Sequence, residues 1–208
     1  MKDLFKGWKT IPNLLSFIRI ILIPIFGYLF YNDHLVASLC VLAVSGLSDL
    51  FDGKIARKFN QVSNLGKILD PVADKLTQIT LAVILLLKFR ASDDKMIRAF
   101  GWVFLVFLIK EAIMVIGGAV MLAFNIRPGA AEIYGKAATV AFYSVTILIM
   151  AFGTDVGALA QYWTLPNIVT GILVVIAAVM TLIAFISYMP ETYRQFHERF
   201  SKKDKAVK

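Results

Sequence analysis

A single cysteine, Cys40, rules out any intramolecular disulfide in this chain of 208 residues, and a packing role is the expectation for it. Charge is scarce as well. Asp, Glu, Lys and Arg make up 17% of the residues against 59% hydrophobic ones, and the mean hydropathy is +0.74, too apolar for an ordinary soluble domain. The only two histidines, His34 and His197, stand apart at the edges of apolar runs, which argues against a histidine metal centre or acid–base pair. Solenoid-length repeats, low-complexity tracts and long linkers are absent, so residues 1–208 read as one domain.

What the chain does have is long apolar runs. They fall at about Ile11 to Tyr31, Leu35 to Phe51, Ile68 to Phe89, Phe100 to Phe124, Ile133 to Phe152 and Leu165 to Tyr188. Roughly 20 apolar residues cross about 30 Å of hydrocarbon as a helix. The expectation is an all-α integral membrane bundle of six transmembrane helices. Leu4, Phe5, Trp8 and Ile11, flanked by Lys2, Lys6 and Lys9, predict a short amphipathic N-terminal helix on the membrane surface. The first run is too long for a signal-peptide core, contains Arg19 and lacks a small-residue cleavage site, so it reads as retained.

Basic residues cluster at the amino terminus, between Lys54 and Lys67, around Arg127 and Lys136, and from Arg194 onward, while the turns at Asn32 to His34 and Gly153 to Gln161 carry no Lys or Arg. The positive-inside rule then puts both termini in the cytoplasm. Lys88, Arg90, Lys95 and Arg98 dissent, partly offset by Asp93 and Asp94. The net charge of +8 flanks membrane spans rather than a soluble domain, which suits anionic lipid and not nucleic acid.

Against this background four carboxylates stand out. The chain reads Asp49-Leu-Phe-Asp52-Gly53-Lys-Ile-Ala56-Arg57, then eight residues, then Gly66-Lys-Ile-Leu-Asp70-Pro71-Val-Ala-Asp74. A helix turns about 100° per residue, so Asp49, Asp52, Gly53, Ala56 and Arg57 share one face, and Gly66, Asp70 and Asp74 share another. A charge near the bilayer centre costs at least ~2.5 kcal/mol, and unpaired acids brought together would tend to neutralise. Two acid faces joined by a short loop therefore look like a cage for a hard divalent cation, Mg²⁺ or Mn²⁺. Simple pairing with Lys54, Arg57, Lys58 and Lys67 would leave Gly53 and Gly66 unexplained, and the loop spacing of a calcium EF-hand is absent. Pro71 predicts that the third helix begins, or is distorted, within a turn of it.

These residues match, position for position, the signature D-x-x-D-G-x-x-A-R-x(8)-G-x-x-x-D-x-x-x-D, and the chain resembles the CDP-alcohol phosphatidyltransferases, membrane enzymes of phospholipid head-group synthesis. The resemblance implies a reaction in which the phosphatidyl group of CDP-diacylglycerol passes to an alcohol and CMP departs. It implies two metal ions, ~4 Å apart in such sites, with Asp49, Asp52, Asp70 and Asp74 as ligands. Asp74 would also be the general base on the acceptor hydroxyl. Arg57 would brace the pyrophosphate, and Gly53, Ala56 and Gly66 would leave room for cytidine and phosphates. A homodimer is implied too.

Two further stretches carry the resemblance. Asn13, Ser16 and Arg19 are similar to the family's entry to the first helix; Asn13 and Ser16 would face the nucleotide and Arg19 the acceptor, the plainer alternative being a cap by Asn13 and a snorkelling Arg19. Lys110 and Glu111 stand where phosphatidylglycerophosphate synthases usually carry Arg-Glu, and together with Lys136 they are the remaining candidate acceptor residues. Gly118 and Ala138 replace an arginine and a lysine common in those synthases. Glycerol 3-phosphate is the first acceptor expected, with phosphatidylglycerol, as in a cardiolipin synthase, the alternative; a lipid acceptor needs less phosphate-gripping charge. An intramembrane prenyltransferase also binds pyrophosphate through acidic motifs, but typically in a longer chain. An ion transporter with buried acids would not need the D-G-x-x-A-R spacing.

Overall fold

The structure is a computed structural model that describes residues 10–58, 65–123 and 133–206, with the side chains of 49–58, 67–68, 122–123, 196 and 198–206 outside the description. The expected amphipathic helix before Thr10 also lies outside the described residues.

Among the described residues there are six helices: α1 Ile11–Tyr31, α2 Leu35–Lys58, α3 Gly66–Ala91, α4 Lys95–Ala123, α5 Ile133–Phe152 and α6 Asn167–Ala206. Four of them, α1, α4, α5 and α6, contain stretches long and apolar enough to cross a membrane. In α2 the apolar stretch Leu35–Ser48 is shorter. The first turns of α3 carry Asp70, Asp74 and Lys75. Several helices outrun the apolar segments that announced them, α2 to Lys58 and α6 to Ala206. Hydropathy marks only what lipid can cover, whereas Lys, Arg, Glu and Gln are good helix formers that let the backbone ladder continue. Pro71 lies inside α3, which begins five residues earlier at Gly66, a little over one turn. The missing N–H costs a single bond near the helix start, and α3 runs on.

α1 turns its polar side chains into the bundle and its apolar ones outward. Thr10 caps it, its hydroxyl accepting from the Asn13 N–H at 3.4 Å, so the alternative of a cap by Asn13 gives way to one by Thr10. Asn13 (2% exposed), Ser16 (0%) and Arg19 (2%) face inward, while Leu14, Phe17 and Ile21 face out. Arg19 therefore does not snorkel to the surface. Cys40 is exposed on α2, contrary to the packing role expected of it. A hydrocarbon solvent selects this arrangement for α1, apolar side chains outward and its polar ones turned into the bundle.

α1 packs on α2 and α3, α3 on α4, α4 on α6 and α6 on α5, and a smaller contact between α5 and α2 closes the ring. The connections at 32–34, 92–94 and 153–166 gather at one end. There Asn167 donates to Asp94 at 2.7 Å, the Thr154 hydroxyl bonds the Asn167 amide oxygen at 2.7 Å, Ser92 pairs with Asp155, and Lys88 pairs with Asp33. Asp94 also accepts from the Ile97 and Met96 N–H groups; the Ile97 bond, then Asn167, then Met96 hold its carboxyl below the usual range. Arg90 lies over the Trp102 ring at 4.5 Å, so part of the dissenting basic cluster is already engaged. Tyr31, Trp102, Tyr162 and Trp163 are exposed near this end, as expected of an interfacial aromatic belt.

The apolar core, including Phe30, Leu85, Phe89, Phe104 and Ile149, occupies the half of the bundle nearest these turns. The α4–α6 crossing is close because position 171 is glycine: a Cβ there would sit 1.9 Å from Phe100 Cε2. Overpacking of this kind costs about 1–3 kcal/mol. Gly171→Ala is expected to lower the thermal midpoint of the detergent-solubilised protein; an unchanged melt would show that Phe100 moves aside freely.

Candidate active site

The half of the bundle opposite the turns holds a cavity of about 670 Å³ between α3, α4, α5 and α6. Asp74, Lys75 and Gln78 line it from α3, Lys110 and Glu111 from α4, and Lys136 and Thr139 from α5. Phe107 and Phe142 also line it and stack face to face, 4.2 Å between centroids and 8° between planes. Met114, Val140 and Phe185 add apolar wall.

Helical periodicity accounts for much of this convergence. Asp70, Asp74 and Gln78 recur every four residues on α3, and Lys136 and Thr139 are three apart on α5. Ser16 on α1 donates its hydroxyl to Asp70. Both oxygens of Asp74 are held: Gln78 Nε2 donates to Oδ2 at 3.0 Å, and the Tyr143 hydroxyl donates from α5 to Oδ1 at 2.8 Å. A carboxylate has about four acceptor positions, so these bonds fix its orientation and leave lone pairs for other partners.

Next to the base candidate sits a buried ion cluster. Glu111, 1% exposed, accepts from Lys75 Nζ at 2.7 Å through one oxygen and from Lys110 Nζ through the other. Lys110 also lies 4.8 Å from the Phe107 ring centroid, a cation–π contact. Glu111 thus ties α3 to α4 and holds two ammonium groups beside the cavity. With both oxygens occupied by lysines, it has little to offer an anionic ligand.

The candidates from the sequence divide accordingly. Lys110, Glu111 and Lys136 meet in the cavity, and Asp74 joins them there. Arg19 does not line it; it is buried on α1, on the other side of α3. Asn13 and Ser16 share the buried face of α1, with Ser16 on Asp70. Gly66 is buried at the start of α3, and Asp70 and Asp74 are half-buried. Asp49, Asp52, Gly53, Ala56 and Arg57 occupy the last turns of α2, and their side chains lie outside the described residues. Among the described side chains Asp70 and Asp74 have no third metal-ligating neighbour. Their hard oxygen donors suit Mg²⁺ or Mn²⁺.

Lys75, Gln78 and Tyr143 were not singled out by sequence reasoning. Gln78 carried a signal, four residues beyond Asp74 on the same face. Lys75 and Tyr143 carried none that separates them from other polar residues on apolar helices, because each acts across helices far apart in sequence.

A profile of the CDP-alcohol phosphatidyltransferase family matches residues 9–190, which include the acid motif, α1 and the cavity. The chain belongs to this family. Among its relatives, the CDP-diacylglycerol–glycerol-3-phosphate 3-phosphatidyltransferase of Aquifex aeolicus is 32% identical over 180 residues, 86% of this chain and 93% of that protein. The CMP-forming cardiolipin synthase of Streptomyces coelicolor is 34% identical over 152 residues, 70% of this chain and 67% of that one. The human CMP-forming cardiolipin synthase is 49% identical over 75 residues, 36% of this chain and 25% of its own length.

Breaking a buried ion pair from one side strands the remaining charge, a loss on the order of 3 kcal/mol. Glu111→Ala is expected to lower the melting temperature more than Lys136→Ala, whose side chain is exposed at the cavity. Equal melts for the two variants would show that the cluster holds nothing together.

Proposed function

We propose that this membrane enzyme transfers the phosphatidyl group of CDP-diacylglycerol to the hydroxyl of an acceptor held in the α3–α6 cavity, with CMP as leaving group. The observation that carries this reading is that Asp74, the last acid of the motif, opens onto the same cavity as Lys75, Lys110 and Lys136. A base and a set of cations in one chamber suit an acceptor that bears both a hydroxyl and a phosphate.

Asp49, Asp52, Asp70 and Asp74 would hold two Mg²⁺ or Mn²⁺ ions, with Gly53, Ala56, Arg57 and Gly66 bordering the nucleotide. Bound there, the ions supply positive charge to the pyrophosphate and the departing phosphate. The chain's own groups do the rest. Asp74 takes the proton of the acceptor hydroxyl as its oxygen bonds to the β-phosphorus, and the bond from that phosphorus to the bridging oxygen breaks to release CMP. Lys75 and Lys110 hold the acceptor phosphate, with Lys136 alongside. Ser16 keeps Asp70 in place.

Glycerol 3-phosphate is the first acceptor, and the Aquifex relative, 93% covered, carries that name. Phosphatidylglycerol is the second reading, supported by Gly118 and Ala138 in place of cationic residues and by the apolar share of the cavity wall. In keeping with this function, α2 and α3 would complete six membrane crossings in one domain. Both termini and the acid motif would face the cytoplasm, and the enzyme would act as a homodimer. A prenyltransferase reading falls with the family match.

The test is CMP release from labelled CDP-diacylglycerol by purified protein, with the lipid product identified for each acceptor. Pyrophosphate release, or no product with either acceptor, refutes the proposal. Asp74→Asn is expected to abolish turnover, a loss of about 10²-fold or more, while CDP still binds in Mn²⁺; normal turnover would remove Asp74 as base. Lys110→Ala is expected to raise the acceptor KM more than the CDP-diacylglycerol KM, and an equal rise in both would move the acceptor out of the cavity.

A further inference from the structure

The carboxylate of Asp74 on α3 bonds α5 directly, accepting from the hydroxyl of Tyr143 at 2.8 Å. Tyr143 is half-buried and is not among the side chains that line the acceptor cavity, whereas Gln78, which holds the other oxygen at 3.0 Å, is. Asp74 is therefore held from two directions, by an amide on its own helix and by a phenol on a helix 69 residues further along the chain. The Tyr143 ring is itself fixed, edge to face against Phe142 at 5.9 Å and 74°, and Phe142 stacks on Phe107 of α4. A chain of three packed rings thus runs from α4 through α5 to the carboxylate.

We infer that Tyr143 is a positioning residue for Asp74, turning its carboxylate so that the remaining lone pairs point at the acceptor hydroxyl and the metal. This rests on the proposed role of Asp74 as base and metal ligand. The physical need is plain. An Asp side chain on a helix has two rotatable bonds, and near-attack geometry requires the accepting oxygen within about 3 Å of the hydroxyl. A donor on each oxygen removes that freedom. Tyr143 supplies the one that α3 cannot supply to itself, because its own next turn already presents Gln78. Outer partners of this kind typically change activity or metal affinity by about 10–100-fold when removed.

The experiment is a cycle of Tyr143→Phe and Asp74→Asn in the full-length protein, read two ways. In turnover, Tyr143→Phe is expected to lower kcat by about 10-fold or more at saturating Mn²⁺, with both substrate KM values within about threefold of wild type. In Mn²⁺ titration without substrate, Tyr143→Phe weakens binding in the wild-type background and leaves binding unchanged in the Asp74→Asn background, as non-additivity demands of a residue acting through another. Gln78→Met, which frees the other oxygen, gives the same kcat pattern if Tyr143→Phe folds poorly. An unchanged kcat, a change confined to the acceptor KM, or equal weakening of Mn²⁺ binding in both backgrounds overturns the inference. Wild-type protein that releases no CMP refutes the transfer reading instead, and the Mn²⁺ cycle then decides the Asp74–Tyr143 coupling alone.

Discussion

Charged groups inside an apolar bundle must find partners within it, and in this protein α3 is where that requirement is met. Within its first ten residues it reaches three other helices through polar contacts: Asp70 to Ser16 on α1, Asp74 to Tyr143 on α5, and Lys75 to Glu111 on α4. Lipid offers no alternative hydrogen-bonding partner, so each contact holds the helices in register as well as satisfying a charge. The same contacts leave Asp74 and Lys75 at a cavity where a substrate can meet them.

The two ends of the bundle divide the work. Near the connections at 32–34, 92–94 and 153–166, packed Phe, Leu and Ile side chains and the Asp94–Asn167–Thr154 chain of hydrogen bonds close the bundle. At the other end the helices separate around about 670 Å³ lined by ionisable side chains. Close packing at one end permits an open, charged chamber at the other. The Phe107–Phe142 stack borders both regions: on one side lies a small apolar gap of about 20 Å³, on the other the cavity with its lysines.

Glu111 illustrates why a residue's role is not the same as its address. Its place in the fourth apolar run made it a candidate for contact with the acceptor. In the fold both its oxygens are occupied by Lys75 and Lys110, so what it presents to the cavity is the pair of lysines it fixes. Arg19 shows the complementary case, a cation of the right chemistry buried on α1 away from the cavity.

Membrane character, a helix at each of the six apolar runs and the acid motif were legible in the amino-acid sequence, because each is a local property, although among the described residues only four of those helices are long and apolar enough to cross a membrane: apolar run length follows from bilayer thickness, and the four- and three-residue spacings of Asp49, Asp52, Asp70 and Asp74 follow from the helical turn. Helix ends were less so. Hydropathy is blind to the polar turns that continue α2 to Lys58 and α6 to Ala206, and Pro71 sits too near the start of α3 to break it. What only the tertiary structure decided is which polar residues face one another: Tyr143 against Asp74, Lys75 against Glu111, Arg19 apart from Lys110. Those pairings depend on the rotation of each helix about its axis and on its neighbours in the ring, and a side-chain pattern on one helix contains neither.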